Sequence, residues 1–111
     1  MKTMKNCELI VIYSTYSCEK SAQKMASLLL EKKLIAYANI IPGGSSLYMW
    51  EGKLCNEQEC FMLCKSTGNL YSQVEKAIVE NHSYETPCIY ALPTTDASQD
   101  YLDFVKASLS K

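Results

Sequence analysis

Arginine is absent from this 111-residue chain: all eleven basic side chains are lysines, set against twelve acidic ones for a formal charge of -1. Arginine is the side chain that grips phosphates, guanine edges and carboxylates with two parallel bonds, and so even a balance leaves no basic footprint. Nucleic acid is therefore not expected as a partner. Glycine and proline are scarce, at four and three residues, and 48% of the chain is hydrophobic, which excludes a disordered or low-complexity chain. No apolar run approaches the roughly 20 residues of a membrane-spanning helix. Lys2 and Lys5 precede only the short stretch Leu9-Ile10-Val11-Ile12, too brief for an export signal, so the expected compartment is the cytoplasm and no membrane partner is expected. Histidine occurs once, as His82, and tryptophan once, as Trp50.

The six cysteines are Cys7, Cys18, Cys55, Cys60, Cys64 and Cys88, and no two of them form a Cys-x-x-Cys pair. A zinc ribbon and a thioredoxin-type redox pair are thereby excluded, and without export the thiols are expected to be free and mostly buried as small apolar groups. Cys60 and Cys64 are four apart on an expected strand, which separates them by roughly 13 Å, too far to share one ion. Cys18, at the start of the first expected helix, is the thiol with a physical reason to be reactive. No cysteine has a recognisable base beside it, so the chain is read as non-enzymatic.

Hydrophobic periodicity predicts a first strand over Glu8 to Tyr13, ended by the Ser14-Thr15-Tyr16-Ser17 cluster. A helix capped by Ser17 follows, with Ala22, Met25, Ala26, Leu29 and Leu34 on its apolar stripe. Ile35 to Ile41 and Ser45 to Trp50 read as one long strand bent at Pro42-Gly43-Gly44, and Glu51-Gly52 reverses it into an antiparallel strand that ends near Lys65 or Ser66. A second helix is expected from about Leu70 to Asn81, capped by Thr67 or Asn69. A last core strand is expected over Cys88 to Leu92, then a short C-terminal helix bearing Tyr101, Leu102, Val105 and Leu109. The order βαββαβ plus α is α+β, the ferredoxin-like arrangement with both long helices on one face of the sheet. Its strands are apolar on both parities, so the second face needs a cover. The C-terminal helix is too short to supply all of it, which points to self-association.

Several ordered segments carry a family resemblance. Leu34-Ile35-Ala36-Tyr37-Ala38-Asn39-Ile40-Ile41-Pro42-Gly43, Ser46-Leu47-Tyr48-Met49-Trp50-Glu51-Gly52-Lys53, Glu59 to Lys65, Asn81-His82-Ser83-Tyr84-Glu85-Thr86-Pro87 and Tyr101-Leu102-x-Phe104 together resemble the CutA divalent-cation-tolerance family. The resemblance implies a ferredoxin-like homotrimer associated with copper or another divalent cation, with no organic cofactor. Where some members of that family have cysteines, this chain has Ser14 and Tyr37. Ser17 and Ser83 replace usual prolines, and Cys88 replaces a usual glutamate. A thiol in place of a carboxylate shifts any site there toward copper(I), zinc or mercury.

The candidate residues follow. His82 reads either as an imidazole capping the end of the second helix or as a metal ligand, with Cys88 as its partner in the second case. Two ligands are too few for a closed site, so a partner subunit would have to supply the rest. The resemblance implies a cleft between subunits formed by Lys65, Tyr84, Asn39 and His82. A second reading makes the protein an anion-sensing trimer of nitrogen-regulator-like architecture, with Lys65, Tyr84 and Glu85 on the ligand. The long hairpin ends in Tyr48, Trp50 and Glu51, expected to dock on a neighbouring subunit.

Overall fold

A computed structural model describes residues 8–110 of the chain; Lys2, Lys5 and Cys7 lie outside them. Strands β1 (Leu9–Tyr16), β2 (Tyr37–Trp50), β3 (Lys53–Thr67) and β4 (Ile89–Pro93) form one antiparallel sheet in the order β2-β3-β1-β4. Helix α1 (Glu19–Glu31) connects β1 to β2, α2 (Tyr71–Asn81) connects β3 to β4, and α3 (Gln99–Leu109) closes the chain. This is the expected ferredoxin-like α+β arrangement with an added C-terminal helix. Both crossover helices lie on one face: Ala22, Met25 and Leu29 of α1 and Val74, Ala77 and Ile78 of α2 share a core with Ile12, Cys60, Met62 and Cys64 of the sheet. Among the described residues no helix is long and apolar enough to cross a membrane.

Several boundaries differ from those expected: β2 starts at Tyr37 rather than Ile35 and β3 runs on to Thr67, while three further differences have a local reason. β1 does not stop at Tyr13, because Ser14, Thr15 and Tyr16 continue its ladder opposite Met62, Phe61 and Cys60. The hydroxyls of Ser14 and Tyr16 lie 3.0 Å apart in the interior and satisfy each other, so two polar residues sit in a core strand without an unpaired group. Burial also pushes the Tyr16 phenol well above its usual pKa. At α1 the N-cap is Cys18 rather than Ser17. At α2 neither Thr67 nor Asn69 caps the helix: a single 3-10 turn, Gly68–Leu70, leads into it, and the Thr67 hydroxyl donates to the Asn69 side-chain oxygen.

The end of α1 is closed by two reversed bonds, from Lys33 N–H to the Leu30 carbonyl and from Leu34 N–H to the Leu29 carbonyl. These define a Schellman stop, with Lys33 at φ 57 where glycine is usual. The hairpin turn places Glu51 and Gly52 at φ 51 and 80, the two left-handed positions of a type I′ turn, whose twist matches that of the strands it joins. Midway along β2 the register shifts between Ile41 and Gly44. Gly43 there takes φ 78, and Gly44 leaves room for the ring of Phe61 on β3.

The second face of the sheet is apolar and largely open. Val11, Tyr13, Phe61 and Leu63 are half-buried on it, and Ile41, Tyr90 and Leu92 are 47%, 48% and 49% exposed. α3 covers one end only, where Val105 packs with Leu9 and Ala36. The last strand is therefore a core strand on one side only: it starts at Ile89, pairs with β1 alone, packs Ile89 and Ala91 against the helix-covered core, and turns its tyrosine and leucine outward. Beyond Gly44 the hairpin has no neighbour in the sheet among the described residues, and Leu47, Met49, Trp50 and Leu54 on this arm are each more than three-fifths exposed.

Candidate functional site

β4 begins opposite Ser14, so the sheet offers Thr15 no partner on that side. His82, the residue that ends α2, fills the position: its Nε2 lies 2.7 Å from the Thr15 carbonyl oxygen, and the Tyr84 N–H donates to its Nδ1 at 3.0 Å. A carbonyl can only accept and an amide N–H only donate, so Nε2 carries the hydrogen. The imidazole stacks on Tyr16 at 4.7 Å and 22° and leans on Tyr84 at 4.7 Å and 51°. The ring thus fastens the segment after α2 to the end of β1 and does not turn back onto the carbonyls of its own helix.

Tyr84 continues the fastening. Its hydroxyl donates to Glu59 Oε2 at 2.8 Å, and Ser46 Oγ donates to Glu59 Oε1 at 2.6 Å, so one carboxylate ties the α2–β4 loop to both strands of the hairpin. Burial, then the Glu59 carboxylate, raises the Tyr84 pKa. Glu59 is the residue whose importance sequence reasoning missed. The available signal was parity, because Glu59, Phe61, Leu63 and Lys65 alternate onto the second face of β3.

Lys65 stands at the other end of that row. Its ammonium donates to the Asn39 side-chain oxygen and lies 5.6 Å from the centre of the Tyr37 ring, which faces it directly across the β2–β3 ladder. Lys65 and Asn39 are therefore brought together within one chain. Six residues of strand, roughly 20 Å, separate Lys65 from Glu59, the partner of Tyr84, so one chain does not join Lys65 and Tyr84 in a single cleft. Glu85 is exposed and takes part in none of these bonds. Tyr48, Trp50 and Glu51 sit exposed at the hairpin tip.

Among the described residues of one chain the donor set does not fit a divalent ion. Both nitrogens of His82 are committed to backbone groups, and no hydrogen bond among the described residues joins it to Cys88. Nor do any three His, Cys, Asp or Glu side chains among the described residues converge as ligands. The exposed Cys88 thiol is held above its usual pKa by desolvation and then by Glu59. The five cysteines described are all free, and they divide sharply. Cys18 is exposed and its pKa is lowered, chiefly by hydrogen bonding with Ser21, whose hydroxyl is 3.3 Å from its sulfur. Burial raises Cys60, and pushes Cys64 up to about 12. Among the five described thiols, iodoacetamide at neutral pH is expected to alkylate Cys18 first and to leave Cys60 and Cys64 unmodified until denaturant is added. Peptide mapping checks the order, and early labelling of Cys64 would contradict the packing described above.

Comparison with known proteins gives consistent matches. The family model described as CutA1 divalent ion tolerance protein matches residues 10–108. The divalent-cation tolerance protein CutA of Escherichia coli O139:H28 is 39% identical over 104 residues, covering 94% of this chain and 93% of that protein. The crystal structure of CutA1 from Ehrlichia chaffeensis superposes with a TM-score of 0.90 at 32% identity, covering 98% of this chain and 100% of that one. A structure from Archaeoglobus fulgidus, described as a periplasmic divalent cation tolerance protein CutA, gives a TM-score of 0.88 at 34% identity, covering 92% and 99% of the two chains.

Proposed function

This chain belongs to the CutA1 divalent ion tolerance family, and from that premise we propose that it acts in divalent-cation tolerance as a non-catalytic homotrimer of the cytoplasm. The observation that carries the reading is the pair of uncovered apolar surfaces on one subunit: the second face of the sheet, from Val11 and Tyr13 to Tyr90 and Leu92, and the hairpin arm bearing Leu47, Met49 and Trp50. Surfaces of this kind mark interaction sites on soluble proteins, and an arm that reaches past its own sheet is shaped to lie on a neighbour. In this reading Tyr48, Trp50 and Glu51 enter the subunit interface, and the neighbour's surface completes the cleft that one chain leaves divided between Lys65 and Tyr84. Copper or another soft ion would need donors from more than one subunit, with Cys88 the thiol free to contribute. The free thiols support a reducing compartment, in contrast to the relative described as periplasmic.

Multi-angle light scattering tests the assembly. The expected mass is three times the chain mass of 12.5 kDa, and Trp50→Glu is expected to shift the population toward the single chain at micromolar concentration. A mass of 12.5 kDa for the unaltered protein, with its circular dichroism intact, would remove the basis of the reading.

A further inference from the structure

On the helix-covered side of the sheet, a cleft of about 320 Å³ runs between α1, from Ser21 to Leu28, and the end of α2. Its size lies at the lower end of the roughly 300–1,000 Å³ of small-molecule sites. The α1 wall carries Ser21 and Lys24, then Met25 and Leu28 one turn further on; the α2 side contributes Asn81, His82 and Ser83, and Tyr16 at the end of β1 completes the lining, the His82 nitrogens being already bonded to Thr15 and Tyr84. Lys24 is the one cation in the lining and no carboxylate faces it there. Among the described residues its ammonium makes no ion pair, the single pair found being Lys106 with Glu8. Met25 and Leu28 supply the apolar surface beside it.

We propose that this cleft binds a small organic carboxylate, with the carboxylate on Lys24 and Ser21 and the hydrocarbon part against Met25 and Leu28. The polarity of the two helices sets the direction. Ser21 lies in the first turn of α1, at its positive N-terminal end, whereas the α2 side lies at a negative C-terminal end, so the anion belongs at the Ser21 and Lys24 end of α1 and the neutral Asn81 and Ser83 face the rest of the ligand. The charge also explains the chemical class: a bond between an ammonium and a carboxylate is roughly twice as strong as one between neutral groups. The site is separate from the Lys65 end of the sheet and from the subunit surfaces, and does not depend on the proposed role in cation tolerance.

Phenylacetate and phenylacetamide, matched in size and differing in charge, test the proposal on the assembled protein by titration with amide chemical-shift mapping. Phenylacetate is expected to bind at least about tenfold more tightly, about 1.4 kcal/mol, with shifts at Ser21, Lys24, Asn81 and Ser83. Because Ser21 also bonds to Cys18, phenylacetate is expected to change the alkylation rate of Cys18 while phenylacetamide leaves it unaltered. Lys24→Gln, an exposed substitution, is expected to abolish the preference without moving the thermal midpoint. Equal affinity for the two probes, absence of binding by both up to about 10 mM, or a preference that survives Lys24→Gln would overturn the assignment.

Discussion

Gly44→Ala is expected to lower the denaturation free energy by about 2–3 kcal/mol, the upper part of the roughly 1–3 kcal/mol typical of overpacked substitutions. A methyl group at this position would lie 2.2 Å from Cε2 and 2.4 Å from Cζ of Phe61, inside any tolerable carbon–carbon separation. The ring has little freedom to retreat, since it is half-buried and its centre lies 6.1 Å from that of Tyr13, in the aromatic row that continues to Tyr90 at 5.2 Å. Gly43→Ala provides the contrast. Its backbone is left-handed but nothing lies within 4 Å of the added methyl, so only the conformational cost applies, about 1 kcal/mol. Adding Phe61→Leu to Gly44→Ala is expected to recover most of the loss. Chemical denaturation of the four proteins checks this, and a Gly44→Ala no worse than Gly43→Ala would show that the ring is not what the glycine accommodates.

His82→Ala is expected to cost at least about 2 kcal/mol. It removes two hydrogen bonds worth about 0.5–1.5 kcal/mol each and leaves the carbonyl of the buried Thr15 without its partner. It also removes the ring packed between Tyr16 and Tyr84, whose aromatic contacts add about 0.5–1.5 kcal/mol each. With both nitrogens committed to the backbone, copper and zinc affinity of the assembled protein is expected to change less than twofold. Denaturation and metal titration on the same variant decide between fastening and ligation. A large loss of metal affinity with stability unchanged would make the imidazole a ligand after all.

The helices and the long bent hairpin were legible because periodicities of 3.6 and 2 are written directly in the apolar positions. The errors fell where residue type and burial part company. Ser14 looks like the end of a strand, yet it lies inside because Tyr16 brings a hydroxyl to meet it. Cys88 to Leu92 looks like a core strand, yet its exposed side chains occupy the second face, and hydropathy does not distinguish burial within a chain from burial between chains. The site was less legible than the fold. His82 was singled out as the lone imidazole, but its partners are backbone groups of Thr15 and Tyr84, and no side-chain pattern announces them. Lys65 and Tyr84 stand close in a list of motifs and far apart along the sheet, because Tyr84 is drawn to Glu59.

The overhanging hairpin also bears on the symmetry of the proposed assembly. Its tip and the broad greasy flank of the sheet are different patches, so a copy that offers one must receive the other from elsewhere. Head-to-tail association of this sort closes into a ring when successive rotations return to the start, and otherwise grows without limit into a fibre. The register shift at Gly43 and Gly44 lies where the arm leaves the sheet, so in the proposed assembly these two small residues would bear on how many copies complete the circle.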